Sequence, residues 1–257
     1  MRYVFFGGQE SRFAQLVLED LKKAGFMPAA EIRDAKAPLD LEYLKSLKAD
    51  VFVVAAFGKI LKKDLLDIPP KGTIGVHPSL LPKYRGASPI QSVLLNGEKQ
   101  TGTAIFCIDE GVDHGSLLAS AIAPITDTDT YATLAERLAH LSSGLLIAAL
   151  PKWLDGTLHA ESQDEKEATF TKKFVGGDAE VDLKKDAPDV IVRKVRALNP
   201  EPGVFTILHL KNGKNLRLKL LEAELKDGAL NLLKVQAEGK KPLAYTDFLN
   251  GYRDLME

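Results

Sequence analysis

The chain has 257 residues, 45% of them hydrophobic and 27% charged, with a formal net charge of -1; at roughly 150 residues per domain this is one large domain with a small one, and extended disorder is excluded. The charge balance excludes a global basic field, so any nucleic-acid contact has to come from a local patch. The single cysteine, Cys107, excludes a disulfide framework and a multi-cysteine zinc site, and the absence of an apolar run near the roughly 20 residues of a membrane helix gives the expectation of a cytoplasmic protein without a membrane partner.

Over the first half, short apolar runs alternate with longer amphipathic stretches, the pattern of a parallel sheet covered by helices. Strands are expected at residues 3–6, 29–33, 51–56 and 73–76. The opening apolar run is too short for a signal-peptide core. Between the first two strands Phe13, Leu16, Val17 and Leu21 recur at helical spacing and Gly25 supplies a stop signal, which makes a βαβ unit. Gly7 and Gly8 lack the spaced third glycine of a dinucleotide fingerprint and read as a tight strand-to-helix turn.

Residues 101–108 and 116–124 read as two strands joined by a polar loop at 109–115, whose turn formers and carboxylates face solvent or a ligand. Cys107 lies in the apolar run of the first of these strands and reads as structural. A long packing helix follows at 130–154, then a polar irregular stretch at 161–185, a short basic helix at 189–198 and a Pro/Gly breaker cluster at 199–203. Beyond it come short strands at 204–210, 216–221 and 229–235, the first two around an Asn212-Gly213 hairpin signal, and a final helix at 246–255. The expected architecture is α/β. A Rossmann-like open, mostly parallel sheet with flanking helices occupies residues 1–200, with 161–200 as linker, and a small β-rich, truncated barrel-like domain occupies 203–257.

His77 directly follows the strand at 73–76, and in open α/β sheets functional groups gather at the carboxyl ends of strands. From His77 the chain reads H-P-S-L-L-P-K-Y-R-G-A-S-P-I-Q, followed later by G-E-K-Q-T-G-T-A-I-F and D-E-G-V-D-H-G. Together these resemble the formyltransferases that use 10-formyltetrahydrofolate. The resemblance implies an Asn-x-His motif at the strand end and an aspartate in a D-x-G-x-D-x-G loop. His77 and Asp113 match two of the three positions, and Gly75 stands where the family has asparagine.

On that resemblance, an amine attacks the formyl carbon and His77 donates to the oxyanion of the tetrahedral intermediate. Asp113 orients His77 or relays the proton, and Ser79, a backbone N–H or a water takes the place of the missing amide donor. Loss of one oxyanion donor costs about 10²–10³ in rate, so a slowed enzyme and a non-catalytic folate- or tRNA-binding relative both stay open at this point. The resemblance also assigns the folate site to the turn Phe57, Gly58, Lys59, Leu61, to Ser79, Leu80, Leu81, Pro82, and to the facing loop Asp109, Glu110, Gly111, Val112. His77, Asp113 and His114 match no metal-ligand spacing, so no metal is expected.

The acceptor is read from the rest of the chain. The run Gly86, Ala87, Ser88, Pro89, Ile90, Gln91 and the segments at 196–203, 235–242 and 247–252 resemble the branch acting on methionyl-tRNA. Lys211, Lys214, Arg217, Lys219, Lys240 and Lys241 offer a basic surface for a phosphate backbone. The resemblance therefore implies formylation of initiator methionyl-tRNA by a monomer, with a small amine such as an amino sugar as the alternative acceptor. Residues 34–40 are shorter than the corresponding loop of typical relatives, and the carboxyl-terminal domain is shorter than theirs.

Overall fold

The computed structural model describes residues 1–252. The chain divides into two compact units, one built of residues 1–89, 99–126 and 132–171, the other of residues 90–98, 127–131 and those from 172 on.

In the first unit the parallel strands β1 (Tyr3–Gly7), β2 (Ala30–Ile32), β3 (Val51–Ala55) and β4 (Thr73–His77) pair side by side. A two-residue strand β5 (Arg85–Gly86) follows, then β6 (Gln100–Cys107) and β7 (Leu117–Pro124), which add to β4 as an antiparallel hairpin. The order in the six-stranded sheet is β2-β1-β3-β4-β6-β7. β1 and β3 read YVFFG and VFVVA without alternation, as strands covered on both faces do.

Helix α1 (Arg12–Lys23) starts at Ser11, whose hydroxyl accepts the Ala14 N–H at 3.2 Å, and buries Phe13, Leu16, Val17, Leu18 and Leu21. Asp40 caps α2 (Leu41–Ser46) in the same way through the Tyr43 N–H at 3.0 Å. The one-turn α3 (Lys63–Leu66) buries Leu65 and Leu66. After α4 (Pro89–Leu95) and the β6–β7 hairpin comes α5 (Tyr131–Asp155), which buries Leu134, Leu138, Leu146 and Leu150 and leaves Leu141 and Leu145 half-buried on its flanks.

The turn after β1 is tight for steric reasons. A Cβ at Gly8 would sit 2.8 Å from the Ala56 carbonyl oxygen, which accepts the Gly8 N–H at 3.1 Å. A Cβ at Gly7 would press on Phe5 and Ala14. Backbone packing against the end of β3 thus accounts for Gly8, and the Phe5 ring and the Ala14 side chain of α1 account for Gly7.

Residues 161–171 end in β8 (Phe170–Thr171), which pairs in parallel with β5. In the second unit α6 (Pro188–Leu198) has proline in its first turn. β9 (Phe205–His209), β10 (Asn215–Lys226), β11 (Ala229–Ala237) and β12 (Leu243–Ala244) form an antiparallel sheet in the order β12-β11-β10-β9. Helix α7 (Tyr245–Tyr252) packs on β11, with the buried Phe248 stacked on Tyr252 at 4.6 Å. Residues 253–255 of the expected final helix lie outside the described residues.

The Asn212-Gly213 hairpin is present, with Gly213 at φ 77° and the Leu210 N–H donating to the Lys214 carbonyl at 2.9 Å. A second tight turn at Asp227-Gly228, with φ values of 51° and 78°, joins β10 to β11. It carries β10 five residues past the expected end at 221, because cross-strand pairing holds Glu222 to Lys226 extended in spite of their low β-propensity.

Candidate active site

Successive side chains of β4 alternate between the two faces of the sheet, so Gly75 and His77 share one face. Across the antiparallel partner β6 they stand opposite Phe106 and Ala104. The Phe106 ring fills the space above Gly75: a Cβ built at Gly75 falls 2.6 Å from Cζ of Phe106 and 3.0 Å from Ile108. Phe106 is itself buried with Leu81 and Ala104, and Ile108 and Leu117 pack against them. The volume an amide side chain would need at position 75 is therefore occupied by hydrocarbon.

His77 is 5% exposed. Its Nε2 lies 2.8 Å from the Tyr84 carbonyl oxygen, and a carbonyl can only accept, so Nε2 carries the proton. That leaves Nδ1 facing Oδ2 of Asp113 at 3.4 Å. The same Oδ2 accepts the Gly86 N–H at 2.7 Å. Tyr84, Gly86 and Asp113 all take left-handed backbone conformations, with φ of 63°, 106° and 48°, and such conformations in non-glycine residues persist only where the surroundings impose them. A Cβ at Gly86 would lie 2.7 Å from the Thr171 carbonyl oxygen, so glycine is required where β5 meets β8.

Ser79 is fully buried and its hydroxyl donates to the Lys83 carbonyl at 2.7 Å, so its proton serves the turn that follows His77. Leu80 packs beneath Gly102, Leu81 joins the Phe106 cluster, and the Pro82 carbonyl accepts the Thr169 N–H at 3.3 Å. Phe57 and Leu61 are core residues. Phe57 is 3% exposed with its ring edge-on to Phe6 at 5.5 Å, and both belong to the cluster around β1 and β3.

What the 57–61 turn presents outward is the open backbone at Gly58, with φ 76°, and the side chain of Ile60, 88% exposed. Lys59 donates to the Ala37 carbonyl at 2.7 Å. In the 109–115 loop Asp109 accepts the Gly111 N–H at 2.9 Å and lies 2.6 Å from Nδ1 of His114, while Val112 is exposed. At the start of α3 the Lys63 ammonium is held above its ordinary value chiefly by its hydrogen bond and charge interaction with Asp67, with a smaller contribution from the charge of Glu110.

Four residues that the sequence pattern does not single out, Gln163, Glu165, Thr169 and Thr171, tie the site together around Arg85. Arg85 is 1% exposed and makes two bonds to Glu165, at 3.0 and 2.7 Å, and two to Oε1 of Gln163, at 3.1 and 2.8 Å. Thr169 accepts the Tyr84 N–H at 2.8 Å, and Thr171 donates to the Arg85 carbonyl at 3.0 Å. The hydrogen bonds from Arg85, opposed by burial and assisted by the charges of Arg85 and His114, hold the Glu165 carboxyl below its ordinary value. In the sequence this stretch shows only the alternation Ala168, Thr169, Phe170, Thr171 as a trace of its strand. Among the described residues no group of three or more His, Cys, Asp or Glu could hold a metal ion.

A buried histidine at the carboxyl end of a central strand, faced by a carboxylate from the adjacent hairpin loop, is a site for proton-coupled group transfer on an open α/β sheet. Residues 5–150 match the family model described as formyl transferase, and residues 175–227 match that described as formyl transferase, C-terminal domain. A methionyl-tRNA formyltransferase of Dictyoglomus thermophilum is 38% identical over 232 residues, 82% of this chain and 74% of that protein. The chain belongs to the formyl transferase family.

Among solved structures, HypX from Aquifex aeolicus in complex with tetrahydrofolic acid superposes with a TM-score of 0.78 at 18% identity, over 98% of this chain and 47% of that one. This chain thus spans about half the length of HypX. Methionyl-tRNA formyltransferase from Clostridium thermocellum superposes with a TM-score of 0.69 at 19% identity, over 95% of this chain and all of that one. No helix among the described residues is long and apolar enough to cross a membrane.

Proposed function

We propose that the chain transfers the formyl group of 10-formyltetrahydrofolate to the amino group of methionyl-initiator-tRNA, acting as a cytoplasmic monomer. The observation that carries this reading is the His77–Asp113 pair, with Nδ1 of a tautomer fixed by Tyr84 facing a carboxylate oxygen at 3.4 Å. With Nε2–H committed to Tyr84, the chemistry falls to the Nδ1 side. As the imidazolium, His77 donates Nδ1–H to the oxygen of the tetrahedral intermediate, and the neighbouring Asp113 carboxylate stabilises that charge.

The attacking α-amine, with a reference pKa of roughly 7.7–8.0, is mostly protonated at neutral pH and has to shed protons as it becomes an amide. Asp113 is the carboxylate placed to accept one, and as the intermediate collapses the bond between the formyl carbon and N10 of the donor breaks, N10 taking up a proton so that tetrahydrofolate leaves. The exposed backbone at Gly58, the Ile60 side chain and the loop Asp109, Glu110, Gly111, Val112 suit the flat pterin of the donor, with Phe57 and Leu61 anchoring the turn from below. Lys211, Lys214, Lys219, Lys240 and Lys241, all exposed, give the second unit cations for the tRNA backbone.

A second reading, a folate- or tRNA-binding relative without turnover, is favoured by one observation, the Phe106 ring in the space above Gly75. Offering methionyl-tRNA and a nucleotide-linked amino sugar side by side, each with 10-formyltetrahydrofolate, separates the readings. The proposal expects formylated tRNA and an unmodified sugar. Formylated sugar with unmodified tRNA overturns the acceptor, and tight folate binding without either product supports the second reading.

A further inference from the structure

Resting on the formyl-transfer reading, we infer that Gln163 is a positioning residue that sets where Asp113 stands relative to His77. Its side-chain amide is saturated. Nε2 donates to the Asp113 carbonyl at 2.9 Å and to the Gly115 carbonyl at 2.7 Å. Oε1 accepts from Nε and Nη2 of Arg85 at 3.1 and 2.8 Å. The reverse orientation would turn the amide oxygen to two carbonyls and its NH₂ to a guanidinium, so the amide has one satisfied pose.

Two carbonyls on either side of His114 thus converge on one nitrogen, which pins the peptide around Asp113 in its left-handed conformation at φ 48°. Asp113 is held at two points, by its carbonyl through Gln163 and by its carboxylate through the Gly86 N–H. Arg85 links both anchors, since it binds Gln163 and its neighbour is Gly86. Glu165 in turn fixes the guanidinium, and β5 is fastened to β8 through Thr169 and Thr171. With the Gln163 anchor removed, the loop can pivot about the Gly86 bond and the Oδ2–Nδ1 distance is released.

Gln163 is only half-buried and its neighbours from 161 to 167 are exposed, so a change here perturbs the site more than the core. Two variants separate the bonds. Q163E keeps an acceptor for Arg85 and loses both donated bonds, whereas Q163L loses all four. The inference expects both full-length variants to unfold cooperatively, to lower kcat by about 10–100-fold, the range for a displaced catalytic group, and to keep KM for tRNA and folate within about twofold.

The same variants shift the ¹⁵N resonances of the His77 ring, a signal that needs no turnover. Wild-type kcat with unshifted His77 resonances in Q163E overturns the inference, even if Q163L is impaired, because Arg85 anchoring would then suffice. Loss of cooperative unfolding in Q163E overturns it too, in favour of a purely structural role. If the wild-type chain forms no formylated product, the formyl-transfer reading fails separately, and the His77 resonances alone decide the inference.

Discussion

Phe106 stands directly across the β4–β6 pair from Gly75, and its ring lies over the glycine where a side chain at position 75 would go. The two residues are therefore one packing choice, a small residue on one strand with an aromatic on the other. An amide introduced at 75 meets a ring that Leu81 and Ala104 hold in place.

Gly75→Asn alone is expected to destabilise the chain by about 1–3 kcal/mol through overpacking and to leave formylation no faster. Phe106→Ala alone removes a buried ring and is expected to cost about 3–5 kcal/mol. The double variant should lose less than the sum, with a coupling of about 0.5–3 kcal/mol in a cycle of denaturant unfolding measurements. Additive losses would mean that the ring does not claim that space.

Glu165 supplies a pH dependence with a defined sign. Its folded-state value lies below the 4.5 of an unperturbed glutamate, so its contribution to stability is present above that value and is lost as pH falls through the lower, folded one. Thermal unfolding across the acid range should show wild type losing stability as pH falls, with a flatter profile for Glu165→Gln and a difference that narrows towards the acid end. A constant difference across the range would argue against the Arg85 pairing.

Of the cations that the sequence offers to a phosphate backbone, Arg217 is already engaged. The guanidinium carbon of Arg217 lies 3.6 Å from the centre of the Phe205 ring and its Nε is buried without a hydrogen-bond partner among the described residues, whereas Lys211, Lys214 and Lys219 are exposed. Arg217→Ala is expected to cost about 0.5–2 kcal/mol of stability and to leave the salt dependence of tRNA binding unchanged. Lys211→Ala or Lys214→Ala should leave stability unchanged and reduce the slope of log K against log salt by about 0.7–0.9 for each phosphate no longer neutralised. Binding titrations at a series of salt concentrations distinguish the two classes.

The strands and long helices were legible because burial writes periodicity into them. The unbroken runs of β1 and β3 and the leucine spacing of α5 each reflect one packed face. His77 and Asp113 were legible through motif and position at a strand end and a loop, and the structure brings them to 3.4 Å. The segment at 161–171 was not legible, because its order comes from hydrogen bonds to β5 and to the 113–115 loop, and such bonds leave no apolar period. Nor does sequence separate the two roles within the turn at 57–61. Phe57 and Ile60 are both apolar, and only the tertiary packing shows that one faces the core and the other solvent.

If the Nδ1 side of His77, with Asp113, carries formyl transfer to methionyl-tRNA, the chemical step itself has to depend on both residues. That step is read by the single-turnover rate of formyl-methionine formation on saturating wild-type protein, His77→Ala and Asp113→Asn, with 10-formyltetrahydrofolate and methionyl-tRNA. The expected result is product with the wild-type chain and a rate lower by about 10²–10³-fold or more in each variant, the cost of removing a preorganised donor or its partner. No product above background in wild type, or an undiminished rate in His77→Ala, would refute that assignment.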